Sequence, residues 1–269
     1  MQLTLPPETR SRYNEDGFYL VAEPVFPADI VEGAVRGMDA IRRGDYDTGR
    51  SPCESQWKPG DDPGKLCKIE NPQFASRAVM DLVKYPALGE IAACITGARM
   101  IQAWWVQLLY KPSTDQDLPA ATNIGIHQDR AYWGAWEDGS ELFTAWVALS
   151  NVEEDCGPME FARGSHKWGL RNEGNFFDHG QNVADQRRSI SIPEGERWDE
   201  VSAILRPGAV SFHHCLTFHG SGPNYSGRPR RSFAIHMRTE NSRPVNDLRQ
   251  GLTAYIDQVD LCPVIYGRL

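Results

Sequence analysis

The hydrophobic pattern changes its period near Arg99, and this change constrains the fold more than any other feature of the chain. Before Arg99, apolar residues recur at the three- and four-residue spacing of helices, whereas after it they lie in extended runs between turn clusters. Helices followed by many strands are typical of an antiparallel sandwich or barrel supported by helices. The chain is therefore predicted to be mainly β with flanking α-helices.

Three helices are predicted before this point, at residues 27–43, 71–83 and 86–97, with a loop at residues 44–65. The first and third helices begin at a proline and are followed or ended by a glycine, as helix boundaries often are. A polar, aperiodic segment at residues 170–200 is interpreted as an insertion or lid. Four strands are predicted after Arg99, at residues 100–110, 142–152, 208–214 and 231–238.

The composition excludes several classes of protein. The 269 residues carry 28 Lys and Arg against 36 Asp and Glu, a formal net charge of −8, so the chain lacks the basic surface that binding to nucleic acid requires. No apolar run approaches the roughly 20 residues of a membrane span, and no secretory signal is visible. The 6 cysteines form no CxxC pair, which indicates reduced thiols in a cytoplasmic protein rather than a zinc knuckle.

The triplet His127-Gln128-Asp129 is the strongest local signal of chemistry. Residues two apart in an extended segment point to the same side, so His127 and Asp129 can bind one ion together. An isolated triplet of this kind is more often a polar surface feature. A later histidine, His219, ends a predicted extended segment before the glycine-rich turn 220–224 and can supply a third ligand. Two imidazoles and one carboxylate on one face of a metal are the donor set of non-haem Fe(II) oxygenases.

Three histidines compete for the third position on the metal. His213 and His214 follow directly on a predicted strand, so one faces the core and the other faces outward, and either can be a buried structural histidine. His219 is favoured, since the glycines after it let the backbone approach closely. His166 lies in a predicted turn and receives no metal role.

Strand alternation selects one arginine from the run at residues 228–231. Phe233, Ile235 and Met237 form an apolar face with Arg231 at its edge, whereas Arg230 belongs to the smaller, more polar face. Arg230 is therefore expected to point into the barrel, where a planar guanidinium can bind a carboxylate through two parallel hydrogen bonds.

The same alternation places three further residues near the site. Trp146 lies on the face of its strand opposite the purely apolar one, with core packing as the alternative. Gln107 and Lys111 share one face of an aromatic-rich strand. The Gln107 amide must be satisfied there by a ligand carboxylate or water, or alternatively by backbone.

Taken together, these motifs resemble the phytanoyl-CoA dioxygenase family, which comprises Fe(II)- and 2-oxoglutarate-dependent oxygenases on a double-stranded β-helix, a jelly-roll and cupin-like core. The resemblance runs in order from about residue 100 to 240, after a family-like helical front section. It implies one domain over residues 1–269, with a helical section at about 1–98, the β-helix core at about 99–240 and a tail at 241–269. The motifs that carry it are Gln107-Leu-Leu-Tyr-Lys111-Pro, His127-Gln-Asp129-Arg-Ala-Tyr132-Trp133, Trp146-Val-Ala-Leu, Gly157-Pro-Met, Gly164-Ser-His and His219-Gly-Ser221-Gly-Pro-Asn followed by Arg230.

The resemblance implies a role for each matched residue. The iron ligands are His127, Asp129 and His219, and the distal carboxylate of 2-oxoglutarate is held by Arg230 and Ser221. The positions that line the cosubstrate pocket are Lys111 and Trp146, with Gln107 near substrate or cosubstrate. The aromatic residues expected to wall the substrate pocket are Tyr132, Trp133 and Trp136.

The implied reaction is hydroxylation of an aliphatic carbon of a small-molecule metabolite with O2, releasing succinate and CO2, with ascorbate as an in vitro reductant. Family halogenases carry Ala in place of the carboxylate ligand, so the presence of Asp129 favours hydroxylation. One departure is Arg163 before Gly-Ser-His, where many relatives have Pro; it alters a loop and no metal ligand.

Other functions remain open from the sequence. A cupin-like metalloenzyme without 2-oxoglutarate would share the sandwich but would not need an inward Arg230, and a non-catalytic jelly-roll module would not need the ligand set. A serine hydrolase is set aside because no GxSxG follows the turn after His219. The substrate itself stays open among an amino acid, an organophosphonate, a natural-product intermediate and an acyl-CoA, and the oligomeric state is not legible.

Overall fold

Two antiparallel β-sheets pack face to face in the structure, a computed structural model that describes residues 5–115, 122–171, 173–177 and 183–268. The larger sheet has seven strands and the smaller has four. The strands of the larger sheet are β1 (Phe18–Val21), β2 (Cys67–Glu70), β3 (Ile101–Lys111), β5 (Leu142–Ala148), β8 (Val210–His214), β10 (Arg230–Thr239) and β11 (Val264–Tyr266), and those of the smaller are β4 (Ile124–His127), β6 (Glu160–Ala162), β7 (Glu200–Ser202) and β9 (His219–Ser221).

The order of the larger sheet is β1-β8-β5-β10-β3-β11, with β2 also paired to β3, and that of the smaller is β4-β9-β6-β7. Strands that are distant in sequence are therefore neighbours in both sheets. This antiparallel sandwich with helices against it confirms the predicted fold class, a mainly β protein with a jelly-roll core.

Five α-helices accompany the sheets in the described residues: α1 (Thr9–Asp16), α2 (Ala28–Arg43), α3 (Arg77–Val83), α4 (Pro86–Thr96) and α5 (Val183–Ser189). The predictions for α2 and α4 are confirmed, including the left-handed glycines Gly44 and Gly97 that end them. None of the helices described is long and apolar enough to cross a membrane.

The helix predicted at residues 71–83 is wrong in its first half. Residues 72–74 form one 3-10 turn, Ser76 is extended, and α3 begins only at Arg77. Asp47 causes the new start, because its Oδ1 accepts the Arg77 backbone N–H at 2.9 Å and so caps the first turn. The strand predicted to reach residue 152 likewise ends earlier, at Ala148.

The two faces of the larger sheet have different neighbours. The face predicted to be apolar, with Phe233, Ile235 and Met237, packs on α2, α3 and α4 in one buried cluster. The opposite face carries Trp146 and Ala234 and packs against Phe161 of the smaller sheet. The space between the sheets therefore receives the smaller and more polar side chains, as the alternation predicted.

We expect Leu108→Ala to reduce the free energy of unfolding by about 2–5 kcal/mol, because Leu108 is fully buried in the cluster between sheet and helices. Leu248→Ala is the matched control, since Leu248 is 46% exposed and its truncation should change stability by less than about 0.5 kcal/mol. Urea denaturation measures both. Equal losses in the two variants would contradict the assignment of this cluster as the core.

Candidate metal and cosubstrate site

Three predicted ligands meet where the smaller sheet faces the larger one. His127 ends β4, Asp129 follows two residues later, and β4 pairs with β9 so that His127 lies opposite His219. Their donor atoms lie within 4.8 Å of one another: the Asp129 Oδ1 atom is 3.6 Å from His127 Nε2 and 3.7 Å from His219 Nε2. All three side chains are buried. The geometry brings together two imidazoles and one carboxylate around a single point.

Both imidazoles are oriented by backbone carbonyls. His127 Nδ1 lies 2.7 Å from the Gly125 carbonyl oxygen, and His219 Nδ1 lies 2.9 Å from that of Thr217. A proton on each Nδ1 satisfies these bonds and leaves the Nε2 lone pairs free to bind a cation. Burial, followed by the neighbouring imidazoles, lowers the pKa of His219 well below its usual value, which also favours the neutral ligand form.

The Asp129 carboxylate is held on its second oxygen. Thr144 Oγ1 donates a hydrogen bond to Asp129 Oδ2 at 2.7 Å, and His236 Nδ1 lies 2.8 Å from the same Thr144 oxygen. Burial disfavours the charged carboxylate, but the imidazoles of His219, His127 and His213 hold its pKa well below its usual range. Asp129 is therefore an anionic donor whose Oδ1 is turned toward the two histidines.

Of the three competing histidines, His219 is the one whose donor atom lies with those of His127 and Asp129. His213 does point inward, but its Nε2 lies 3.3 Å from Asp129 Oδ2, the oxygen turned away from the other donors. His214 lies on the other face of β8 near His166, and burial lowers its pKa to about 4. His166 contacts the Asn14 carbonyl. The close contact of His213 with Asp129 was not predicted, because alternation shows only that one of two adjacent histidines faces inward.

A second cluster surrounds the predicted inward arginine. Arg230 Nη1 donates to Ser221 Oγ at 2.9 Å and also to the Gly157 carbonyl. Lys111 Nζ donates to the same Ser221 hydroxyl at 2.5 Å and to the carbonyls of Ser221 and Gly222 at 3.2 and 2.5 Å. The Arg230 guanidinium lies 5.1 Å from the Trp146 ring centroid. The structure thus brings Arg230, Ser221, Lys111 and Trp146 together.

Both cations are buried, and the Glu160 carboxylate only partly offsets the burial of Lys111. Burial lowers the pKa of Arg230 to about 10, and burial together with the Arg230 charge lowers that of Lys111 well below its usual value. Within the described ranges no carboxylate forms an ion pair with either residue, and Arg230 Nε has no hydrogen-bond partner. Buried cations are normally paired, so the arrangement fits an acidic ligand.

A cavity of about 210 Å³ opens beside His127 and Asp129. Three of the predicted pocket residues line it: Tyr132, Trp133 and Gln107. Gln107 Nε2 lies 3.5 Å from Glu70 Oε1. Trp136, which was expected to wall the pocket, does not line this cavity; it packs edge-on against Trp104 in the buried cluster that also contains Trp133.

Seven residues that the sequence did not indicate also line this cavity: Lys68, Glu70, Phe176, Phe177, Trp105, His236 and Leu252. The first two lie on β2, a strand of only four residues that follows the predicted loop at 44–65. The two phenylalanines lie in the predicted lid at residues 170–200, which also contains α5 and the first residue of β7; residues 172 and 178–182 of it lie outside the described residues.

The sequence model of the phytanoyl-CoA dioxygenase (PhyH) family matches residues 13–232. A probable alpha-ketoglutarate-dependent hypophosphite dioxygenase of Stutzerimonas stutzeri is 26% identical over 247 residues, which cover 88% of this chain and 80% of that protein. A 1-deoxypentalenic acid 11-beta-hydroxylase of Streptomyces arenae is 28% identical over 55% of this chain and 52% of that enzyme.

Among solved structures, the non-heme alpha ketoglutarate dependent carbocyclase SnoK from nogalamycin biosynthesis has a similar fold. Its TM-score is 0.70 at 20% identity, over 97% of this chain and 96% of that one. This similarity supports the fold of the sandwich.

We expect Thr144→Val to weaken Fe(II) binding by about 10- to 100-fold, because it removes the hydroxyl that orients Asp129 while keeping the side-chain shape. Competition with a chromophoric chelator measures the affinity. Thr9→Val is the matched control, since buried Thr9 donates instead to the Pro6 carbonyl at the start of α1. Unchanged Fe(II) affinity in Thr144→Val would show that this bond does not support the metal site.

Proposed function

Because the chain belongs to the phytanoyl-CoA dioxygenase family, whose relatives include an alpha-ketoglutarate-dependent dioxygenase, we propose that it hydroxylates an aliphatic carbon of a small molecule and releases succinate and CO2. One observation carries the proposal: a buried His-Asp-His donor set and a buried, unpaired Arg–Lys cluster both border the space between the two sheets. The first suits Fe(II) and the second suits a dicarboxylate.

His127, Asp129 and His219 are the proposed iron ligands. Two neutral imidazole nitrogens and one carboxylate oxygen form the donor set typical of non-haem Fe(II), with the opposite positions left for other ligands. The Nδ1 bonds to Gly125 and Thr217 support this role, because they turn both Nε2 atoms toward Asp129 Oδ1.

Arg230 and Ser221 are proposed to hold the distal carboxylate of 2-oxoglutarate, with Lys111 adding charge. An anion at this place would offset the cost of burial that lowers the pKa values of Arg230 and Lys111, and the Arg230 charge that further lowers that of Lys111. Trp146 would limit the space beside the guanidinium. When bound, iron and 2-oxoglutarate supply the oxidising chemistry with O2, and the protein supplies orientation and a site closed to bulk water.

The cavity lined by Tyr132, Trp133 and Gln107 is the proposed substrate site. Its volume of about 210 Å³ is below the roughly 300–1,000 Å³ of sites for drug-sized ligands, which supports a small metabolite. The aromatic walls would hold the substrate beside the donor set. The named substrates of the two curated relatives, hypophosphite and 1-deoxypentalenic acid, support an acidic one.

Hydroxylation is proposed over halogenation because Asp129 fills the carboxylate position, and over other oxidations because one relative is named a hydroxylase. The fold alone is compatible with other outcomes, since SnoK is named a carbocyclase. Mass spectrometry of the product separates them: hydroxylation adds one oxygen atom, whereas ring closure by dehydrogenation removes two hydrogens.

We expect Arg230→Ala to weaken 2-oxoglutarate binding by about 10- to 100-fold, because a charge-assisted bond to a carboxylate contributes roughly 1.5–3 kcal/mol. Fe(II) affinity should stay unchanged, since Arg230 belongs to the second cluster. Calorimetric titration with 2-oxoglutarate on the iron-loaded protein measures the effect.

Arg231→Ala is the control for this variant. Arg231 lies on the opposite face of β10, where its guanidinium stacks on Tyr110 and approaches Asp39. Its removal should leave 2-oxoglutarate affinity within about twofold of the wild type. If Arg230→Ala binds 2-oxoglutarate as the wild type does, the wrong arginine has been assigned.

The proposed function itself is tested by screening small metabolites with Fe(II), ascorbate and 2-oxoglutarate. Succinate release above the uncoupled background is expected for the true substrate, and Asp129→Ala should abolish it because the metal loses its anionic ligand. Oxygen uptake without 2-oxoglutarate would instead indicate a cupin-like enzyme, and failure to bind Fe(II) a non-catalytic module.

A further inference from the structure

We propose that Lys68 binds an oxyanion group of the substrate, so that the preferred substrates are small acids; this inference rests on the proposed function of the cavity beside His127. Lys68 was not indicated by the sequence, and no matched motif includes it. The argument rests on its position, its fixed partner and its remaining hydrogen-bond donors.

The position of Lys68 follows from strand pairing. Lys68 and Glu70 are two apart on β2 and therefore point to one face, and they pair with Leu109 and Gln107 of β3. Gln107 lines the cavity and Leu109 packs between the two sheets. Lys68 therefore faces inward, and it lines the same cavity as His127.

Glu70 fixes the lysine instead of competing for the substrate. Its Oε1 accepts from Lys68 Nζ at 2.9 Å and lies 3.5 Å from Gln107 Nε2, while its Oε2 accepts from Trp105 Nε1 at 2.6 Å. Both carboxylate oxygens are thus engaged by donors of the protein itself. Glu70 therefore acts as a positioning residue for the Lys68 ammonium.

The Lys68 ammonium keeps donors for a ligand. It has three N–H groups, and one satisfies Glu70. The rings of Phe176 and Phe177 lie with their centroids 4.4 and 5.5 Å from Nζ, and the side chain is only 16% exposed. A hydrogen bond to an anion is stronger in such a partly dry setting than in water. The ammonium therefore suits an oxyanion better than a neutral group.

Lys68 borders two cavities. Together with Phe176 it lines both the cavity at His127 and a second, outer cavity of about 460 Å³, which Asp61 and Asp62 also line. The Phe176 ring in turn contacts His127, with centroids 5.0 Å apart. An acid bound to the ammonium within the first cavity would lie beside His127 and Asp129, which line the same cavity.

The test uses pairs of probes that differ in charge but little in shape. Protein loaded with Fe(II) and saturating 2-oxoglutarate, kept free of O2, is titrated with 2-methylpropanoate against 2-methylpropanamide, and with methylphosphonate against the neutral methylphosphonic diamide. Calorimetry and ligand-observed NMR report binding, and the visible band of the iron–2-oxoglutarate chelate shows that the cosubstrate stays bound. The two acids distinguish a carboxylate from a phosphonate as the preferred group.

We expect the wild type to bind at least one acid about tenfold or more tightly than its neutral partner. Lys68→Met should weaken binding of that acid by about 10- to 100-fold, with the affinities for the neutral partner, Fe(II) and 2-oxoglutarate unchanged. Lys68→Arg, which keeps the cation, should retain the preference for the acid. Lys65→Met is the matched control, since Lys65 lies only in the outer cavity and should not affect the preference.

The proposal is overturned if the acids bind no better than their neutral partners, or if Lys68→Met keeps the preference. Failure of the proposed function would give a different result, because the visible band of the iron–2-oxoglutarate chelate would not form. NMR titration of the protein alone with the acid and its neutral partner would still test the role of Lys68. An acid preference that Lys68→Met removes without any chelate would support the subsite and reject the oxygenase.

Discussion

The antiparallel pairing of β4 with β9 is the constraint on which the site depends. It places His127 opposite His219 although 91 residues lie between them along the chain. The backbone carbonyls of Gly125 and Thr217 contact the Nδ1 atoms and so direct both Nε2 atoms toward Asp129. Asp129 then needs only one further support, the Thr144 hydroxyl from the facing sheet. A slip of one residue in this pairing would turn the histidines to the opposite face of the sheet, so the register of two short strands determines whether a donor set exists.

Alternation along strands explains why much of the site could be predicted. On a long strand such as β10, one apolar face settles the orientation of every residue, and Arg230 therefore had to point inward. The same holds for Trp146 on β5. The His-Asp-His set could be predicted because its residue types are restrictive and because matched motifs occur in order. Long helices with clear ends, α2 and α4, were predictable for the same reason: many residues contribute to one local pattern.

The features that the sequence did not predict depend on contacts between distant segments instead of on one local pattern. β2 has only four residues, so its apolar–polar alternation is too short to stand out beside the predicted loop at 44–65, and the strand depends on its pairing with β3. Lys68 and Glu70 were therefore missed. The break at Ser76 depends on Asp47, about thirty residues earlier. Trp136 was misplaced because an aromatic residue after the metal motif can equally fill the core. Contacts between distant segments decide each of these cases, and one sequence carries little information about them.

The inner surface of the larger sheet carries two cationic sites that differ in how far nearby carboxylates offset their charge. Arg230 and Lys111 are buried, and the Glu160 carboxylate only partly offsets the burial of Lys111, so an incoming carboxylate there meets two poorly compensated cations. Glu70, by contrast, directly offsets the charge of Lys68, which leaves hydrogen bonding and a weaker attraction. A cosubstrate with two carboxylates would therefore favour the Arg230–Lys111 cluster, and a singly charged acid could bind at Lys68 without displacing it.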